Sequence, residues 1–226
     1  MNKEYWHKKW QSKDIGFNQP QPNKLMQRYF SSLELTSGCR VFVPLCGQSI
    51  DMLWLAEQGY RVIGVELSQI ACSNFFKENK MPVKIAKIND FIVYSSDEIT
   101  LFCGDFFKLN RTIMDKIDAV YDRAALIALP ADTRKSYSEH LIELTTPVAS
   151  IFLITTTYDQ SEMPGPPFSV GENEVTALYS DHFEITQLYS KQFEVPAHLQ
   201  AKGLFQAAEQ VYMLTKKDFI NHDRNS

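Results

Sequence analysis

The sequence predicts an α/β protein built on a doubly wound, mostly parallel sheet. First, Val41-Phe-Val-Pro-Leu-Cys-Gly47-Gln-Ser-Ile-Asp51-Met-Leu-Trp54 reads as strand, tight turn and helix, and Val62-Ile-Gly-Val-Glu66-Leu-Ser68 as a second strand ending in an acid. Second, about twenty residues separate Gly47 from Glu66, the spacing at which a parallel α/β unit sets a carboxylate against a ribose. Third, further apolar runs end in polar or turn residues, at Gly104-Asp105 and at Asp122-Arg123. Strand ends of that kind converge on one edge of an open sheet, where its ligands bind.

The elements follow in order. Helix-like stretches run from about Lys3 to Ser12 and from about Asn23 to Leu33, the latter with Leu25, Met26, Tyr29, Phe30 and Leu33 at helical spacing. Gly16 and Pro20-Gln-Pro22 separate them. Arg40 to Val43 is the first strand, Asp51 to Gln58 a helix closed by Gly59, and Arg61 to Glu66 the second strand. Ser68 reads as the N-cap of a helix to about Asn79, since its hydroxyl can satisfy an orphan amide. Phe91 to Ser95 and Ile99 to Cys103 form a hairpin through Ser96-Asp97-Glu98. Ile117 to Tyr121 is a strand, Asp132 to Leu144 a helix behind Pro130, and Val148 to Thr155 a buried central strand. Met163-Pro-Gly-Pro-Pro-Phe168 is a loop, because proline fixes φ and removes donors. A helix near Glu172 to Tyr179 and strands near Phe183 to Tyr189 and Ala208 to Thr215 complete the set.

Composition narrows the class. At 226 residues, with 44% hydrophobic and 22% charged residues, one domain can bury a sizeable core without disulfides. A net charge of −4 argues against a nucleic-acid partner, which would require a basic footprint. The 4 cysteines, at positions 39, 46, 72 and 103, lie far apart with no metal-type pairing, as expected of reduced thiols. No run approaches the roughly twenty apolar residues of a membrane span, and the polar start is unlike a signal peptide. The expectation is a cytoplasmic protein acting on a small molecule, with no metal and no membrane.

Its turn points to one ligand. Gly47 is the one glycine kept where a dinucleotide fingerprint has three, a poor cradle for a pyrophosphate. S-adenosylmethionine, an adenosine without phosphate, fits better than NAD. Glu66 can then accept from both ribose hydroxyls, its plain alternative being a helix-cap acid before Ser68. Asp105 can accept from the adenine amino group with Phe106 flanking the ring, or it is a turn acid. Arg123, at the end of a buried strand, requires a partner: Asp122 beside it, the cofactor's carboxylate or an anionic substrate. Trp6 and Trp10 stand one helical turn apart with Phe17 behind, either a lid whose π faces attract a sulfonium or ordinary packing.

Taken together, Trp6-xxx-Trp10 with Ile15-Gly-Phe17, Phe42-Val-Pro-Leu-Cys-Gly47 with Asp51-Met-x-Trp54-Leu-Ala, and Gly64-Val-Glu66-Leu-Ser68 resemble the bacterial thiopurine S-methyltransferase family. Tyr121-Asp-Arg123-Ala-Ala-Leu126-Ile-Ala-Leu and Pro164-Gly-Pro-Pro-Phe168 extend the resemblance over nearly the whole chain. It implies a class I methyltransferase fold: a seven-stranded sheet with the last strand antiparallel and helices on both faces. The chain reads as one domain over 1–226, with a helical lid segment at 1–38, a doubly wound core at 39–217 and a tail at 218–226, and the resemblance implies a monomer. By the same resemblance Trp10, Leu45, Glu66 and Arg123 contact S-adenosylmethionine, and Trp6, Phe17, Asp105 and Phe106 match further cofactor-lining positions. Asn18 departs from the histidine common in bacterial members, and the region of His198 departs from the arginine-bearing lid of animal relatives; both bear on substrate choice.

The reaction implied is S-methyl transfer to an aromatic or heterocyclic thiol such as a thiopurine. Arg123 favours the thiolate, and Asp122 or a water takes any residual proton. A related reading keeps methyl transfer but makes the acceptor a small inorganic nucleophile: selenium or tellurium oxyanion, halide or thiocyanate. A nicotinamide oxidoreductase is opposed by the missing glycines, and a non-catalytic sensor by the aromatic lid and Pro-rich loop.

Overall fold

The computed structural model describes residues 3–12, 14–16, 18–145 and 148–217. Its centre is one sheet. In chain order the strands are β1 (Arg40–Val43), β2 (Arg61–Glu66), β3 (Lys84–Ile88), β4 (Phe91–Ser95), β5 (Ile99–Cys103), β6 (Ala119–Arg123), β7 (Ser150–Thr157), β8 (Phe183–Phe193) and β9 (Ala207–Lys216). Their spatial order is β3-β4-β5-β2-β1-β6-β7-β9-β8. The five strands from β5 to β7 are mutually parallel, and β9 inserts antiparallel between β7 and β8.

The sheet has 9 strands where seven were expected. From β5 to β8 the expected arrangement is present, with the last strand antiparallel. The additional pair, β3 and β4, extends the edge beyond β5 as antiparallel neighbours. Every residue of β3 is exposed, so Lys-Ile-Ala-Lys-Ile carries no buried face for a period-two pattern to reveal. Its lysines protect an open edge against further pairing.

Helices cover both faces. On one lie α2 (Lys24–Tyr29), α3 (Asp51–Glu57) and α4 (Gln69–Glu78), where Met26, Phe30, Met52, Leu55 and Phe75 pack with Tyr121 and Ile154. On the other lie α6 (Ala131–Leu144) and α7 (Glu172–Tyr179), where Tyr137, Leu141 and Val175 pack with Val65, Val120 and Leu153. Strand alternation decides which side each functional residue faces: Tyr121 joins the first core and Val120 the second. The chain also forms α1 (Lys3–Gln11), α5 (Arg111–Met114) and α8 (Ala197–Gln200). A third, smaller core joins Met163, Val195, Leu199, Leu204 and Ala207 to Tyr158 and Phe193, so the Pro-rich loop and the β8–β9 connection pack on each other. Among the described residues no helix is long and apolar enough to cross a membrane.

Candidate active site

The turn after β1 is built on unusual backbone. Leu45 and Gly47 take φ of 46° and 54°; glycine does so freely, whereas leucine in this region is strained by about 1 kcal/mol. Ala124, just beyond the neighbouring β6, is left-handed too, at φ 62°. Strained residues at adjacent strand ends mark a functional edge. The turn also packs tightly: a Cβ on Gly64 would meet Cys46 Sγ at 2.7 Å, so only glycine lets the turn close over β2.

Glu66 is 6% exposed and tied to that turn. The Gly47 amide donates to Oε2 at 3.0 Å and the Ser68 amide to Oε1 at 2.7 Å. Burial pushes its carboxyl up to about 7, the amides holding it from rising further. Ser68 caps α4, its hydroxyl accepting from the Ala71 amide. A carboxylate has about four lone-pair sites, so Glu66 retains capacity for a ligand's hydroxyls.

Above the turn sits α1. Trp10 is 4% exposed, and a Cβ on Gly47 would lie 3.1 Å from its ring. The indole therefore rests directly on the turn, and Trp6 lies half-buried one helical turn before it. Lys3 Nζ reaches Asp105 Oδ2 at 2.7 Å, joining the start of α1 to the far side of the same edge. Burial pushes the Asp105 carboxyl up, but Lys3 and the Phe107 amide outweigh it and hold it below the ordinary range. Phe17 lies outside the described residues.

Two expectations are corrected here. Phe106 does not flank a ligand: it is 1% exposed, its ring lying against Phe42 and Tyr137 with centroids 6.5 and 4.9 Å away. Phe107, at 36% exposure, is the ring presented outward. Asp122 is neither the partner of Arg123 nor a proton acceptor at the edge. Alternation turns it to the opposite face, where it is fully buried and accepts from Tyr137 Oη at 2.7 Å and the Leu126 amide at 3.1 Å. Burial pushes its carboxyl up to about 6.

The partner of Arg123 is Asp51, with Nη1 3.8 Å from Oδ2. Asp51 is fully buried at the start of α3 and accepts from Tyr121 Oη at 2.8 Å and from the Asn23 amide at 2.7 Å. One carboxylate thus ties the N-terminal segment, the turn helix and β6 together. In the sequence Asp51 stood within the Asp-Met-x-Trp motif with no role of its own. Its signal was available: an acid in the first turn of a helix whose other inward residues are Met52 and Leu55.

His198 of α8 lies over Gly16, 3.4 Å from where a Cβ would stand, so the β8–β9 connection reaches the segment that carries Asn18. A cleft of about 580 Å³ at the opposite edge, between Gly38, Tyr60, Arg61 and Glu98, contains none of these groups.

A doubly wound sheet with an inserted antiparallel strand, a single-glycine turn and an acid at the second strand's end defines a class I methyltransferase. A family model for thiopurine S-methyltransferase matches residues 1–217, and the chain belongs to that family. A thiopurine S-methyltransferase of Nitrosospira multiformis is 44% identical over 95% of this chain and 98% of its own length. One from Psychrobacter cryohalolentis is 42% identical over 96% of this chain and all of its own length. Among solved structures, a Burkholderia thailandensis 1,6-didemethyltoxoflavin N1-methyltransferase has a TM-score of 0.65 at 15% identity, covering 96% of this chain and 87% of that one. An Anabaena variabilis methyltransferase has the same TM-score at 14% identity, covering 95% of both chains. At such identities the likeness is one of fold.

Proposed function

We propose that this enzyme transfers the methyl group of S-adenosylmethionine to the sulfur of an aromatic or heterocyclic thiol, thiopurines included. The single observation carrying this choice of acceptor is the pairing of Arg123 with Asp51. A guanidinium already balanced by a buried carboxylate gives no strong excess of positive charge. That disfavours compact inorganic anions, whose charge calls for an unpaired cation, and suits a heteroaryl thiol, whose thiolate spreads its charge over the ring.

The residues present fit the methyl donor. Glu66 offers its remaining lone pairs to the ribose hydroxyls, the Leu45–Gly47 turn supplies a close backbone approach, and Trp10, with Trp6, closes over the site. Asp105 lines the adenine side of the same edge, and Phe17 is assigned to the lid. When bound, S-adenosylmethionine supplies an electrophilic methyl on a sulfonium sulfur. Arg123 stabilises the thiolate electrostatically and orients it. Excluding water and fixing the approach of sulfur account for most of the acceleration. In this reading the enzyme is a cytoplasmic monomer with a helical lid at 1–38 over a core at 39–217.

Calorimetric titration with S-adenosylmethionine and S-adenosylhomocysteine, followed by turnover of 6-mercaptopurine, tests the proposal. Binding without turnover of any aryl thiol overturns the acceptor. Arg123→Ala is expected to lower kcat/KM by about 100-fold or more, the usual effect of deleting one electrostatic stabiliser. A near-normal value in that variant removes Arg123 from the mechanism.

A further inference from the structure

With Asp122 on the far face, water is left as the proton recipient named above, and the described residues offer a second. Glu209 lies on β9, where its register partner on β7 is Thr156. Thr156 stands two residues beyond Ile154, which pairs with Arg123. Ile154, Val211 and Tyr121 share one core, so by alternation Glu209 faces the same side of the sheet as Arg123 and lies further toward its carboxyl edge. It is half-buried; burial pushes its carboxyl up and the charge of Arg123 partly offsets that.

Its oxygens set it apart. Asp51, Glu66, Asp105 and Asp122 each accept hydrogen bonds from protein donors. Among the described residues Glu209 has no such donor. Lys191 lies opposite it in register on β8 and forms no ion pair with it among the described residues. A partly buried carboxylate without a donor, on the same side of the sheet as Arg123 and further toward its carboxyl edge, is placed to receive a proton from a ligand.

We propose that Glu209 is the proton acceptor for the thiol substrate. The proposal rests on the S-methyl-transfer reading above. The S–H bond breaks with its electron pair left on sulfur, and the proton passes to a Glu209 oxygen. The thiolate forms the new S–CH₃ bond as the bond between that methyl and the sulfonium sulfur breaks, its pair remaining there to give a neutral thioether. Glu209 then returns the proton to solvent. The negative charge moves from carboxylate to sulfur while staying near Arg123, so no charge is separated in a dry site. Burial raises the proton affinity of Glu209 and Arg123 restrains it, a balance that suits reversible protonation.

The test compares Glu209→Gln with the natural enzyme on benzyl thiol, which is weakly acidic, and on a nitrothiophenol, already ionised at neutral pH. The loss of kcat/KM on benzyl thiol is expected to exceed that on nitrothiophenol by about 100-fold, the range of general-base catalysis. Equal losses, or none, overturn the proposal. S-adenosylhomocysteine affinity, read calorimetrically, reports that the variant is folded. Infrared difference spectra supply a readout independent of turnover. Adding benzyl thiol to the natural enzyme saturated with S-adenosylhomocysteine is expected to produce a protonated-carboxyl band that Glu209→Gln lacks. Absence of that band in an active natural enzyme overturns the proposal even if the variant does not fold. Failure of the natural enzyme to methylate either thiol defeats the S-methyl-transfer reading itself.

Discussion

Glu66, held at about 7 by burial with amides donating to both oxygens, changes charge across neutral pH. Its folded pKa lies above the ordinary 4.5, so the folded state binds the extra proton and stability falls as pH rises from about 4.5 to about 7. The cost of keeping the carboxylate ionised is about 3 kcal/mol. Glu66→Gln is therefore expected to flatten the fall in Tm of the free enzyme between pH 5 and 7.5 while weakening S-adenosylhomocysteine at least tenfold. An unaltered Tm profile together with unchanged affinity would refute both halves. Asp122 poses the opposite case, an acid whose partners are all internal. Asp122→Asn is expected to destabilise by about 1–3 kcal/mol, the cost of disturbing buried hydrogen bonds, and to leave the pH dependence of thiol methylation unshifted. Spacing from Gly47 revealed Glu66 in the sequence. Asp122 was misassigned because adjacency to Arg123 along a strand places two side chains on opposite faces.

At the scale of elements, α1 is fastened at both ends, by Trp10 against Gly47 and by Lys3 on Asp105. The fastenings are unequal. Lys3 is half-exposed at 51%, and an exposed pair of this kind contributes well under about 1 kcal/mol. Lys3→Ala is expected to leave Tm almost unchanged, whereas Trp10→Ala is expected to speed S-adenosylhomocysteine dissociation at least tenfold in stopped-flow measurements. Equal dissociation rates for Trp10→Ala and the natural enzyme would mean that the helix does not cover the ligand. Elements with strong patterns were readable: β1, β2, β4, β5 and α7 have the limits that their apolar runs and caps indicate. β3 and α8 were not. β3 buries nothing, and α8 is one turn whose burial rests on Leu199 alone. Glu209 was legible in principle, since Glu209, Val211 and Met213 alternate on one side of β9. An acid there places a charge on the side where Val211 is buried.

For the whole molecule, buried acids set the pH response. Glu66 and Asp122 ionise at a cost as pH rises from about 4 to about 7, while Asp105 and Asp118, held below the ordinary range, stabilise once ionised and lose that effect in acid. The free enzyme is expected to be most stable near pH 5, and saturating S-adenosylhomocysteine to move that maximum upward; calorimetric scans from pH 4 to 8 test both. The motifs indicated parallel units but no order across the sheet, and the antiparallel direction of the last strand came only from the family resemblance, since nothing local in its sequence says which neighbours it joins. The position of β9 has a consequence for biogenesis. The strand bearing Glu209 leaves the ribosome after every other strand, yet it lies inside the sheet and alone attaches β8 to β7. Until residue 216 has been synthesised, β7 offers a bare apolar edge and β8 has no partner. A nascent chain can shape the nucleoside side of its cleft early, but the acceptor side, with its proton acceptor, is assembled only once β9 has cleared the ribosome.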